Sequence, residues 1–397
     1  MERYEAYRDS GVEWMCDVPI EWDVAAAKRF IAIENGSDPQ LEGDVSVYGS
    51  SGIAFKFCGE SKEGPTVLLG RKGTIDNPSY IEGEYWNVDT AFNVAKRSDG
   101  LSLKYYYYQS TCFDYAKFQT ATAVPSMTQQ NYGDMKIVIP SLCEQHAIVE
   151  FLDMKVAEID SLIEQTERSI ELLEEYRKSV ISEAVTKGFN SDVPMKDSGI
   201  EWIGKIPEHW IVSKIKYEFI NHDNLRKPIE ASLRSQNSET LYPYYGASGI
   251  VDVIDDYIFD GRRILIGEDG ANLVLRNLPL VYVAEGKYWV NNHAHILEPS
   301  RSLDFDYAAH QLELIDLTDY ITGSAQPKLS QANLGRIPVV VPPVKEQEAI
   351  VERINSLLCS LEESINAKKL IAERFKEYRK SLIYEAVTGK FKVPGVE

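Results

Sequence analysis

Nearly the whole of this 397-residue chain is written twice. DSGVEWMCDVPIEW at Asp9–Trp22 returns as DSGIEWIGKIPEHW at Asp197–Trp210. YGSSGI at Tyr48 returns as YGASGI at Tyr245, and EYWNV at Glu84 is echoed by KYWVN at Lys287. PSMTQQNYGDMKIVIPSLCEQHAIV at Pro125–Val149 matches PKLSQANLGRIPVVVPPVKEQEAIV at Pro327–Val351. EYRKSVISEAVTKGF, in which Tyr176 stands, matches EYRKSLIYEAVTGKF, in which Tyr378 stands. The offset grows from 188 to 202, so the second copy carries about 14 additional residues. So many blocks in one order define a two-fold tandem repeat. Any fold for this chain has to contain two versions of one module.

Each copy has the same anatomy. Short apolar runs such as TVLLG, DMKIVIP, RILIG and PVVVP, separated by Gly, Pro, Asn and Asp, predict strands and turns of a mixed α/β head over 1–143 and again over 190–344. A long helix follows each head, predicted over 144–187 and 345–388, with Pro140, Pro342 and Pro343 as boundaries and Gly188 and Gly389 as stops. The first helix places Val149, Val156, Ile163, Ile170, Arg177 and Ala184 on one seam, with Leu152, Ile159, Thr166, Leu173 and Val180 on the other. The second has Val351, Leu358, Ile365, Ala372, Arg379 and Ala386, then Ile354, Leu361, Lys368, Phe375 and Leu382. A seven-residue repeat held this long predicts coiled-coil pairing, and forty-odd residues at 1.5 Å each give a rod of roughly 60 Å. Two equivalent modules pairing through equivalent helices predict a pseudo-two-fold with antiparallel helices. The fold class expected is α+β. The domains are 1–143, a central helix 144–189, 190–344, and a C-terminal helix and tail 345–397.

Composition narrows the class. Hydrophobic residues make up 44% of the chain, enough for real cores. The polar, acidic N-terminus reads as no signal peptide, and no window is apolar enough to span a membrane, so a cytoplasmic protein is expected. Cys16, Cys58, Cys112, Cys143 and Cys359 are scattered and lack CxxC spacing, which argues for reduced thiols and against zinc. The net charge of −19 argues against a nonspecific nucleic-acid binder, so any duplex contact has to be local or shared with a basic partner.

The block DSGIEWIGKIPEHW, the helix starts PSLCEQHAIV and PPVKEQEAIV, and the helix end EYRKSLIYEAVTGKF resemble the specificity subunit of type I restriction–modification systems, over nearly all of both copies. The resemblance implies that each head is a target-recognition domain reading one half of a split site on double-stranded DNA. It implies that the helices form an antiparallel spacer. Two modification subunits would dock on this chain and methylate adenine with S-adenosylmethionine, and restriction/translocase subunits would add ATP- and magnesium-dependent work. No catalytic residue and no cofactor is expected in this chain. The rival reading is a coiled-coil interaction scaffold, derived from such a subunit, that binds no DNA.

Two loops are candidates for reading. LLGRKGTIDNP (68–78) aligns with LIGEDGANLVL (265–275), so Gly70 and Gly73 match Gly267 and Gly270. Between the glycines stand Arg71 and Lys72 in one copy and Glu268 and Asp269 in the other, with Thr74 following in the first. Arg or Lys suits a guanine edge or a phosphate, and a carboxylate can accept from the cytosine amino group. The second loop, TATAVPSMTQQN, faces TGSAQPKLSQAN and offers Gln129, Gln130, Ser324, Gln326 and Lys328. Arg262 and Arg263 precede the second glycine loop and complete the set.

Other motifs point to chemistry more weakly. NPSY at Asn77–Tyr80 resembles an adenine-methyltransferase motif, but the second copy lacks it and no glycine-rich cofactor turn accompanies it. Asp269, Glu285 and Lys287 have nuclease-like spacing that the first copy does not repeat. His293 and His295 are spaced for one strand face, yet their counterparts are Thr90 and Phe92. Tyr105–Tyr108 reads as a packed helix, with Tyr105 aligned to Tyr307. GxxxxGK[ST] is absent, so ATP is not expected to bind here.

Overall fold

The structure, a computed structural model, describes residues 2–119, 124–234, 240–323 and 326–396. It divides into two compact units, Met1–Arg168 with Lys368–Glu397, and Ser169–Ala367. Both divisions fall inside the long helices, which run Leu142–Lys187 and Val344–Val387.

In the first unit an antiparallel sheet orders its strands Ile31–Asn35, Ala91–Lys96, Thr66–Gly70, Ser79–Ile81. A second sheet orders Ala54–Cys58, Val45–Tyr48, Glu84–Asn87, Lys62–Glu63, with the middle pair parallel. The second unit repeats both: Phe219–Asn221, Ala294–Pro299, Arg263–Gly267, Val281–Ala284, and then Gly249–Ile254, Tyr242–Gly246, Lys287–Val290, Phe259–Asp260. Thr66–Gly70 is buried at every position, as befits a continuous apolar run in the middle of a sheet.

The repeated blocks are largely scaffold. In DSG, the Asp9 and Asp197 carboxylates accept from the amides of Gly11 and Gly199 at 2.8 and 2.9 Å, closing a turn. The hairpin that follows carries Trp22 and Trp210 into the cores, each about 1% exposed. Their indole N–H groups donate to Glu144 at 3.3 Å and Glu346 at 2.8 Å, on the first turns of the long helices. Ser141 and Glu144 form a reciprocal capping box. The glutamine of each EQ pair is wholly buried. Gln145 accepts from Ser102 N and donates to Gly100 O and Pro140 O. Gln347 does the same with Asp304 N, Ser302 O and Pro342 O. Tyr105, in the helix Leu103–Ser110, donates to Val387 O at 3.1 Å, and Tyr307, in Phe305–Glu313, donates to Val185 O at 2.8 Å. Each phenol thus satisfies a carbonyl in the last turn of a long helix, which has no partner within the helix itself.

Within each unit the two helix segments pack antiparallel. In the first, Asp160 meets Arg379 at 2.7 Å, while the later Glu167 meets the earlier Lys376 at 2.9 Å. Leu152, Val156, Ile159, Leu382 and Ala386 share its core. In the second, Arg177 meets Glu362 at 3.5 Å, while Ala184 joins Ile350 and Ile354 in the core. The arginines at the expected seam positions therefore reach out to acids on the facing helix. These exposed pairs contribute ~0.2–1 kcal/mol each, against ~1.5–3 kcal/mol for a buried Leu or Ile, so the apolar seam holds the helices.

Candidate nucleic-acid interface

Each unit brings together loops that are far apart in sequence. In the first, Gly73 N donates to Pro125 O at 2.9 Å and Met127 N to Arg71 O at 3.0 Å, with Lys72 bridged to Ser126. In the second, Gly270 N donates to Pro327 O at 3.0 Å and Leu329 N to Glu268 O at 2.8 Å, with Asp269 bridged to Lys328. The glycine loop and the loop before the last strand are thus sewn into one surface by matching backbone bonds. Gly73 and Gly270 have φ of +85° and +103°, a region in which a side chain is strained. A Cβ on Gly70 would stand 1.9 Å from Thr74 O, so the turn closes only over hydrogen.

A third segment joins them that sequence reasoning did not single out. Asn77 of NPSY donates to Ser51 O at 2.9 Å, tying the YGSSGI turn to the glycine loop. Ser50 Oγ is 3.5 Å from where a Gly73 Cβ would be, and Ala247 O is 2.8 Å from the same point on Gly267. The signal was available: YGxSGI is repeated almost unchanged, as an inflexible support would be.

On this common backbone the side chains differ. In the first unit Lys72 and Thr74 are exposed, and Lys72 forms no ion pair among the described residues. Arg71 is half-buried; it donates to Asp89 O at 3.2 Å, and its guanidinium lies 5.9 Å from the Phe92 ring centre. Gln129 and Gln130 open the short helix Gln129–Asp134, exposed, behind the Thr128 cap. In the second unit Gln326 and Lys328 are exposed, and Asp269 bonds His293 Nδ1 at 2.7 Å. Ser324 lies outside the described residues.

Three expected contact residues are engaged elsewhere. Arg262 pairs with Glu285 at 2.5 Å and Asp306 at 2.6 Å, and Arg263 with Glu298 at 3.0 Å. Both stand at the far end of the strand leading to Gly267, about five residues or ~16 Å from the loop. Glu268 points inward: it bonds Arg226, and Lys328 Nζ lies 3.2 Å from it. Burial alone would raise its carboxyl, but Arg226, His295 and Lys328 hold it below the usual range.

The network beneath Glu268 is closed. His295 is wholly buried, with Nδ1 2.6 Å from Asp223 and Nε2 2.8 Å from Leu329 O. A carbonyl oxygen only accepts, so Nε2 donates to Leu329, and Nδ1 is hydrogen-bonded to the Asp223 carboxylate. Burial pushes the Asp223 carboxyl up; the His295 bond and charge, the Ile296 amide and Arg226 bring it below its ordinary value. Asp223, Glu268 and His295 offer ligand-type atoms within 4.8 Å of one another. The Arg226 guanidinium is bonded to Glu268 and 3.6 Å from Asp223, and both imidazole nitrogens are engaged, so the protein itself supplies the positive charge there. In the first copy the equivalents of Glu268 and His295 are Arg71 and Phe92, a cation over a ring. Both positions differ between the copies, while the loops keep matching backbone bonds on two different supports.

The nuclease-like residues have separate partners: Asp269 with His293, Glu285 with Arg262, and Lys287 over the Tyr257 ring at 4.5 Å.

Fold and site together define a chain with two recognition modules, each carrying a segment of an antiparallel helix pair. The sequence model for the type I restriction modification DNA specificity domain matches residues 28–172 and 207–370. The chain belongs to this family. A putative type I restriction enzyme specificity subunit of Haemophilus influenzae is 35% identical over 135 residues, 34% of each chain. The chain thus spans about a third of that relative's length. The MjaVIII specificity subunit of Methanocaldococcus jannaschii is 24% identical across 95% of this chain and 94% of its own. A solved structure from work on complex assembly and conformational transition of the type I R-M system shares the fold, with a TM-score of 0.72 at 13% identity over 94% of this chain and 99% of that one. Among the described residues no helix is long and apolar enough to cross a membrane.

Proposed function

We propose that this chain reads a bipartite duplex site, with residues 1–143 reading one half and 190–344 the other. The paired helices set the number of unread base pairs between them. The supporting observation is the same sewn pair of loops in both units, one presenting Lys72, Thr74, Gln129 and Gln130, the other Asp269, Gln326 and Lys328. Equal backbones with unequal side chains suit two different half-sites. Arg71 and Glu268 support their loops from below; Arg262 and Arg263 brace the second head. The helices and their flanks recruit two modification subunits, which carry S-adenosylmethionine, and restriction subunits that use ATP and magnesium, in the cytoplasm. Basic partner surfaces share the duplex contact and offset the chain's acidity.

Competition binding on duplexes, with and without the modification subunit, tests this reading. Preference for one bipartite sequence over scrambled DNA is expected with the partner present. No preference under either condition would leave a scaffold that binds no DNA.

A further inference from the structure

Both units interrupt strand pairing at one equivalent place. In the first, Tyr48 pairs with Ala54 and Val47 with Lys56, which leaves Phe55 as the extra residue of a β-bulge. In the second, Tyr245 pairs with Ile250 and Tyr244 with Asp252, which leaves Val251. Each bulge lies just beyond the YGxSGI turn, on an edge strand of its sheet. A bulge re-aims the side chain it carries. Phe55 is 59% exposed and Val251 52%, so each bulge holds an apolar group in solvent.

Each of these side chains stands beside its unit's glycine loop. A Cβ on Gly49 would be 3.6 Å from Phe55 Cε1 and 3.2 Å from Thr90 Oγ1. The Thr90 carbonyl accepts from Arg71 N at 2.8 Å and from Lys72 N at 3.3 Å. In the second unit a Cβ on Gly246 would be 3.1 Å from both Val251 Cγ1 and Asn291 Nδ2. Asn291 Oδ1 accepts from His293 N at 2.8 Å, and His293 O accepts from Glu268 N at 2.8 Å. Phe55 and Val251 therefore border the two surfaces that present Lys72 and Asp269. Lys56 Nζ lies 5.6 Å from the Phe55 ring centre, so a cation suited to a phosphate flanks the ring.

We propose that Phe55 and Val251 are specificity-determining residues, each packing on a thymine methyl group in the major groove of its half-site. The polar and charged side chains beside them suit hydrogen-bonding base edges and phosphates. An exposed apolar side chain among them has its counterpart in the one apolar group on a major-groove edge, the C5 methyl of thymine. The inference rests on the duplex reading proposed above and names two of its residues and one of its bases. Both strands are sheet edges, at which a second copy of the chain could pair instead, but the bulge interrupts the ladder that such pairing needs.

The test uses the full chain assembled with its modification subunit, on the duplex site found by methylome sequencing. Each thymine of the site is replaced in turn by uracil, which removes the methyl group and keeps the base pair. One such replacement in each half-site is expected to weaken binding about fourfold, the worth of one buried methyl group. Phe55→Ala abolishes the uracil effect in one half-site and Val251→Ala in the other, and each lowers affinity for the thymine duplex about fourfold or more. Both residues are exposed, so the variants keep the parent fold. A half-site without an A·T pair, affinity indifferent to every uracil, or a uracil effect that survives these substitutions overturns the proposal and leaves the bipartite reading standing. A parent complex that prefers no duplex overturns both. Self-association of the chain, abolished by Phe55→Ala or Val251→Ala, would assign these strands to a second copy and overturn the thymine contact.

Discussion

Replacing Gln347 by leucine keeps the side chain's approximate size and removes every polar atom from a wholly buried position. Three groups lose their partner: Asp304 N, bonded at 2.7 Å, Ser302 O at 2.8 Å and Pro342 O at 2.7 Å. The Pro342 bond is buried and the other two partly so. At ~2 kcal/mol for the first and ~1 kcal/mol for each of the others, the loss is about 4 kcal/mol. Leucine returns about 1 kcal/mol through its larger apolar surface. The net is about 3 kcal/mol, or roughly a hundredfold in the folding equilibrium of the second unit. Urea titration at constant m-value measures it, and hydrogen exchange at the Asp304 amide localises it. Gln145→Leu, in the same geometry, is expected to cost the first unit a similar amount. A change below about 0.5 kcal/mol for Gln347→Leu would refute the reasoning that these amides clamp each head onto its helix.

Lys72→Ala is expected to weaken duplex binding with little regard to sequence if the ammonium meets a phosphate, reducing the slope of log affinity against log salt by about one; an unchanged slope together with an altered base preference would assign it to a base edge. Asp223 and Glu268 both have depressed folded-state values, so they stabilise the second unit at pH above the ordinary carboxylate range. That stability is lost as pH falls below about 4 and through their folded values. Acid titration followed by circular dichroism should show a shallower acid limb in Glu268→Gln than in the parent chain. Deleting one heptad at matched positions, 158–164 and 360–366, keeps the seam in phase and shortens each helix by ~10 Å. The methylated site should then lose about three base pairs from its spacer, and an unchanged spacer would contradict the ruler.

The helices and the duplication were legible in the sequence for one physical reason: both are periodic. Val156, Ile159, Ile354 and Ile365 are buried where the seven-residue pattern places them, and Arg177 and Arg379, which break it, are the residues that reach out to acids. The turns of the two candidate loops could be placed because paired glycines and prolines mark turns whatever side chains stand between them. What a side chain between those glycines touches was not legible. Glu268 looks like an exposed acceptor until Arg226 and His295, 42 residues before it and 27 after, are brought beside it by the sheet. The same holds for Arg262, whose acids lie on a neighbouring strand end and on a helix. Charge partners set by tertiary contact leave no local pattern. A comparison of the two copies does leave one, since Arg71 with Phe92 occupies the positions that Glu268 with His295 occupies in the other copy.

The most direct measurement is methylome sequencing of cells carrying this chain and its modification subunit, beside cells in which residues 190–344 have been exchanged for the matching head of a relative. One half of the methylated site should change, while the other half and the spacer stay as they were. A change in both halves at once, or in neither, would contradict two heads reading independently.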